Sequence, residues 1–143
     1  MKVLEYIQSE SDRQKASLRE TIDMVEAWKY VAGFGGKMPN LETIQHVAFL
    51  ITGLQGYRQT PAVFDQGPPA LDAGLIPRSM ANWHMWLHET NEFSPRQIDL
   101  IMREFLEIHP FADGNGRVAS LLYNYFLGTI DDPVILPYYF QEK

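Results

Sequence analysis

The run His109-Pro110-Phe111-Ala112-Asp113-Gly114-Asn115-Gly116-Arg117 separates two stretches of helical periodicity, and the reading of the whole chain turns on it. Asp, Gly, Asn, Gly and Arg in succession bury poorly without partners. They suit a loop whose backbone N–H groups face outward just before a helix N-terminus. There the glycines let the backbone approach an anion and the helix end favours negative charge. Arg117, in the first helical turn, adds a guanidinium fork matched to phosphate. Asp113 offers a hard oxygen ligand for Mg²⁺ beside such phosphates. His109 precedes the cradle and is the side chain there that exchanges a proton near neutral pH. Base, metal ligand, anion cradle and arginine together imply phosphoryl or nucleotidyl transfer, catalysed mainly by positioning and charge stabilisation.

Working outward, the flanking pattern is helical. On the N-terminal side Ser94 caps and Pro95 opens a helix with an apolar stripe of Ile98, Ile101, Met102, Phe105 and Ile108. On the other side a helix runs from about Gly116 to Leu127 and closes at Gly128. Ile76-Pro77 begins an earlier helix that buries Met80, Trp83 and Leu87. Asn40 caps another from Leu41 to about Leu54, with Ile44, Val47, Phe49 and Ile51 apolar. From Leu4 to Val31 the chain favours helix, and Leu18, Ile22, Val25 and Trp28 mark its apolar face. Tyr57 to Pro69 mixes strand formers with Pro61, Asp65, Gly67, Pro68 and Pro69, and reads as a short β-hairpin or extended flap. The tail from Asp131 holds at most a short helix. The expected fold is mainly α, a helical bundle with one small β-hairpin flap.

Composition narrows the class further. The 143 residues suit one domain spanning 1–143. Hydrophobic residues at 45% and charged residues at 21% are globular proportions, which argues against disorder. Twelve basic against eighteen acidic residues leave a net charge of −6, with Lys and Arg scattered singly, so a nucleic-acid partner is not expected. Without cysteine there is no disulfide framework, thiolate nucleophile or Cys-based zinc site. No apolar run reaches the roughly 18 residues of a membrane span, and Glu5 comes too early for a secretory leader. A cytoplasmic protein without a membrane partner is the expectation.

The loop resembles the signature of Fic domains, His-x-Phe-x-Asp/Glu-Gly-Asn-Gly-Arg-x-x-Arg, and matches every defined position through Arg117. Gly56-Tyr57-Arg58 followed by Val63 looks like the start of that family's flap, and the likeness extends from about residue 20 to the C-terminus. The resemblance implies transfer of a nucleoside monophosphate, most often AMP from ATP, to a Ser, Thr or Tyr hydroxyl of a target protein. It makes His109 the base and Phe111 the anchor of the loop. It makes Asp113 the Mg²⁺ ligand and Gly114, Asn115 and Gly116 the anion hole, with Arg117 on the phosphates. Thr60, Pro61, Ala62, Val63 and Phe64 become the flap that pairs with the target backbone as an added strand. Some relatives of this fold transfer phosphate or phosphocholine instead, and a secreted effector setting also occurs among them.

One position departs from the signature. Ser120 stands where the family has its second arginine, which grips the γ-phosphate and pairs with an inhibitory glutamate. A serine supplies neither charge-assisted fork, so Ser120 belongs to the nucleotide-binding set with a changed chemistry. Three readings follow: an altered donor, a weak AMP transferase, or a fold that binds without catalysis. The family's inhibitory Ser/Thr-x-x-x-Glu-Gly/Asn motif has no copy near either end, since the neighbours of Glu20 and Glu26 do not fit. That leaves room for a separate regulatory or antitoxin partner. His84 and His88, spaced i, i+4 with Glu92 a turn further, form a conceivable metal face. The interleaved Trp83, Trp86 and Leu87 instead favour histidines beside a core stripe. Tyr57, Arg58 and Phe64 either dock a target or pin the hairpin to the helices.

Overall fold

The computed structural model describes residues 2–62, 70–90 and 93–136. Six α-helices follow one another among these residues: α1 (Val3–Gln14), α2 (Leu18–Ala32), α3 (Leu41–Thr52), α4 (Ile76–Glu89), α5 (Pro95–Ile108) and α6 (Asn115–Leu127), with a 3₁₀ turn at Ala73–Leu75 leading into α4. Helix α6 is the centre of the bundle and packs against α2, α3 and α5. Its residues from Val118 to Asn124 are all buried, so apolar surface is covered around most of the helix. No helix among the described residues is long and apolar enough to cross a membrane.

The caps read from the sequence form as local chemistry requires. Asn40 accepts from the Thr43 N–H at 2.7 Å and Ser94 from the Gln97 N–H at 3.2 Å, each satisfying an orphan donor of a first turn. The α5 stripe of Ile98, Ile101, Met102, Phe105 and Ile108 is wholly buried, as are Met80, Trp83 and Leu87 of α4. The Trp83 indole N–H donates to the Ile101 carbonyl at 2.8 Å, locking α4 to α5.

Three expectations are corrected. The chain from Leu4 to Val31 is two helices. Lys15 adopts the left-handed conformation at φ 56°, and Ser17 with Glu20 forms a reciprocal capping box that starts α2 afresh. The apolar face of α2 is also turned: Met24, Ala27, Trp28 and Val31 are buried, whereas Leu18 is 77% exposed and Ile22 45%. Only Trp28 of the expected face lies in the core, because α1, α3 and α6 cover the side of α2 that carries Met24 and Val31. Finally, the small β-hairpin flap is not supported, for the described residues contain helices and no strand. Three prolines between 61 and 69 remove the N–H donors that a ladder needs. Thr60 lies in a bend and Pro61 and Ala62 are irregular, none of them in a ladder, and the Ala70 N–H donates to the Ala62 carbonyl at 3.1 Å. Val63 and Phe64 lie outside the described residues.

Candidate functional site

Helix α5 ends in a left-handed turn at His109, with φ 53° and ψ 60°, and the His109 N–H donates to the Phe105 carbonyl at 3.1 Å. A non-glycine residue in this region stores strain that surrounding contacts must hold. The contacts are present. Phe111 is 3% exposed, with its ring 5.8 Å from Tyr57 and 6.4 Å from Phe105. Asn115 closes the loop from inside: its Oδ1 accepts from the Phe111 N–H at 2.9 Å, and its Nδ2 donates to the Phe111 carbonyl at 2.8 Å. The carboxamide thereby copies a backbone partner, and the Asn115 side chain holds the loop's shape rather than facing a ligand.

Gly114 is the N-cap of α6, in the left-handed region at φ 79° and without a side-chain cap. A Cβ on Gly114 would sit 2.7 Å from Thr52 Cγ2, so glycine is required here by conformation and by the close approach of α3. The bare helix end leaves the first-turn N–H groups as an anion cradle. Asp113 stands beside it, with Oδ1 accepting from the Gly114 N–H at 2.8 Å. Arg117 is mostly covered, donating to Asp113 Oδ2 at 3.3 Å and lying 3.8 Å from Glu20. Glu20 is held below the usual carboxylate range by the Ser17 backbone and side-chain hydrogen bonds, then by Arg117.

All seven residues expected from the loop and its helix, His109, Asp113, Gly114, Asn115, Gly116, Arg117 and Ser120, line one cavity of about 540 Å³, a size typical of small-molecule sites. Thr60, Pro61 and Ala62 are not among its walls. The opposite wall comes from α1 and the start of α2, which the sequence pattern did not connect with the site. Tyr6 reaches the Ser120 hydroxyl directly, in a buried pair linking α1 to α6. The Tyr6 hydroxyl also donates to Glu10 at 3.4 Å, and Arg13 donates to the other Glu10 oxygen at 2.6 Å. Ser120, at the position of the signature's second arginine, thus meets a phenol from α1, with the Glu10–Arg13 pair behind it.

Burial pushes the Tyr6 hydroxyl up to about 12, with the Ser120 hydrogen bond pulling it down and Glu10 raising it further. An unfolded tyrosine titrates near about 10, so the folded state keeps its proton longer. The resulting stability is complete below about pH 10 and is lost as pH rises through about 12, a loss of about 2–3 kcal/mol. Urea unfolding at pH 9 and pH 11.5 should show that loss in the native protein, and Tyr6→Phe should remove the corresponding part of it.

The donor set fits a hard divalent cation held mostly by a ligand's own oxygens. Asp113 is a single, largely exposed carboxylate at the cavity edge, and no cluster of three metal-capable side chains exists among the described residues. His84 and His88 meet edge to face at 4.5 Å, and His84 Nε2 bonds the Pro39 carbonyl at 2.9 Å; the described residues bring them no third ligand. Asn124 carries a structural role that no sequence pattern marks. It is fully buried, donates to Ser120 and Val134 carbonyls, and accepts from the Val134 N–H at 2.8 Å, pinning the C-terminal segment beside the cavity.

Comparison with known proteins agrees with this fold. A solved Fic family protein from Desulfovibrio desulfuricans G20 superposes with a TM-score of 0.64 at 28% identity, covering 76% of this chain and 35% of its own. The chain therefore spans about a third of that protein's length. No curated protein matches the sequence. The profile of the Fic/DOC family matches residues 38–127, from the turn before α3 through the end of α6, and the loop, cradle and buried anchor all fall inside that span. The chain belongs to the Fic/DOC family.

Proposed function

We propose that the protein transfers a nucleoside monophosphate from a Mg²⁺-nucleotide to a Ser, Thr or Tyr hydroxyl of a target protein, with ATP the first donor to test. The observation that supports this reading is the convergence of His109, Asp113, Arg117 and the uncapped start of α6 on one cavity. His109 takes the proton of the acceptor hydroxyl as its oxygen forms a bond to the α-phosphorus. The bond from that phosphorus to the leaving pyrophosphate breaks at the same centre. The N–H groups of Asn115 to Arg117 and the Arg117 guanidinium stabilise the charge on the phosphate oxygens. Mg²⁺, held at Asp113, supplies neutralising charge to the phosphates when bound. The Thr60–Ala62 segment offers backbone groups to the target.

The Tyr6–Ser120 bond favours a second reading. Where other family members place a cation for the terminal phosphate, this cavity presents a phenol backed by Glu10, which disfavours a triphosphate held in the usual way. A donor with a different tail, or binding without transfer, follows from that arrangement. Intact-mass analysis decides between them. Purified protein and a lysate are incubated with Mg²⁺ and ATP, GTP, CTP, UTP or CDP-choline in turn. A mass increment of a nucleoside monophosphate that disappears in His109→Asn supports transfer and identifies the donor. A phosphocholine increment supports the altered donor, and no increment with any donor ends the transferase reading.

A further inference from the structure

Arg58 is 3% exposed, and its guanidinium meets backbone carbonyls from two parts of the chain. Nε donates to the His109 carbonyl at 2.6 Å and Nη2 to the Ile108 carbonyl at 3.3 Å, at the C-terminus of α5 where unpaired carbonyls attract a cation. Nη1 donates to the Thr60 carbonyl at 3.0 Å, and Nη2 also bonds the Leu71 carbonyl. Its own N–H donates to the Pro110 carbonyl at 2.9 Å. One planar fork therefore ties the Thr60 and Leu71 carbonyls to those of Ile108 and His109, at the end of α5 and in its left-handed turn. Burial lowers the guanidinium's proton affinity and Asp72 partly restores it, but an arginine stays charged under any folding condition. The sequence reading left Arg58 as a docking or pinning residue; its burial excludes direct docking.

We propose that Arg58 is a positioning residue that fixes the offset between the target-docking segment and the base His109, so that an acceptor lying along Thr60–Ala62 brings its hydroxyl to the imidazole. The kinetic half of this inference rests on the transferase reading above; the structural half does not. The rigid element is local: Arg58, the Ala62–Ala70 backbone bond and the left-handed turn at His109 open together or not at all. Lysine has one ammonium in place of the fork and cannot reach carbonyls on both sides at once.

Two measurements test it. In Arg58→Lys, protein-acceptor transfer should fall about 100-fold, the scale of a misplaced reacting group, with the loss in kcat rather than in nucleotide affinity. Binding of the Mg²⁺-nucleotide, read by calorimetry, should stay within about threefold, since the cradle at Gly114–Arg117 touches none of these bonds. Transfer that stays near native, or that falls in step with nucleotide binding, overturns the positioning role. The second measurement needs neither activity nor a variant. Native-state hydrogen exchange in rising urea should place the amides of Arg58, Ala70 and His109 in one opening unit with a shared free energy and slope. Separate openings for Ala70 and His109 would overturn the coupling. A native protein that transfers nothing but shows the shared opening leaves Arg58 as the clamp and removes only the proposed reaction.

Discussion

His109→Asn should lower transfer by about 10²–10⁴-fold, the usual contribution of a positioned general base, while leaving the protein within about 1 kcal/mol of native stability. Asparagine is chosen because position 109 has φ 53°, a region it enters more readily than alanine. The backbone bonds to Phe105 and from Arg58 survive the change, since both use main-chain atoms of residue 109. The protein should therefore still bind Mg²⁺-nucleotide with unchanged affinity, measured by calorimetry, and lose only the chemical step. Loss of binding together with activity would mean that the histidine shapes the cradle and is not its base. Activity retained within a few-fold would remove His109 from the mechanism.

Gly114→Ala should destabilise the fold by about 2–5 kcal/mol, the sum of left-handed strain and overpacking. The two parts can be separated. At φ 79° any Cβ is strained, and at 2.7 Å from Thr52 Cγ2 this Cβ also collides with α3. Adding Thr52→Ser removes that methyl but keeps the hydroxyl that bonds the Ala48 carbonyl and accepts from the Leu54 N–H. The double variant should recover about 1–3 kcal/mol of the loss, the overpacking share, and leave the conformational share in place. Urea unfolding gives both values. Because Gly114 caps the helix that forms the cradle, nucleotide affinity should remain impaired in the double variant even after stability returns.

The loop and its neighbours were legible because their chemistry is local. Ser94 with Pro95 and Asn40 act on donors within a few residues, and Gly114 supplies the left-handed turn before Asn115 by itself, so type and spacing suffice. The break between α1 and α2 was legible too, in Ser17 and Glu20, but the apolar residues on both sides drew attention to a continuous helix. The α2 face was misread for a different reason. Leu18 and Ile22 are as apolar as Met24 and Val31, and only the arrival of α1, α3 and α6 on one side determines which are covered. The flap was drawn as a hairpin from its strand formers, whereas its prolines weigh against a ladder.

Taken alone, the sequence determined the family and the loss of the second arginine, and gathered the proposed cradle and base into one loop, because those features are written in nine contiguous residues and the turn after them. Only the tertiary structure decided what meets the serine in its place. Tyr6 meets Ser120 across 114 residues, and Arg58 reaches the Ile108 and His109 carbonyls across 50 and 51. No periodicity encodes such pairs. They exist because packing brings a buried hydroxyl and a buried guanidinium to polar groups that would otherwise be left without partners, and burial makes that satisfaction obligatory.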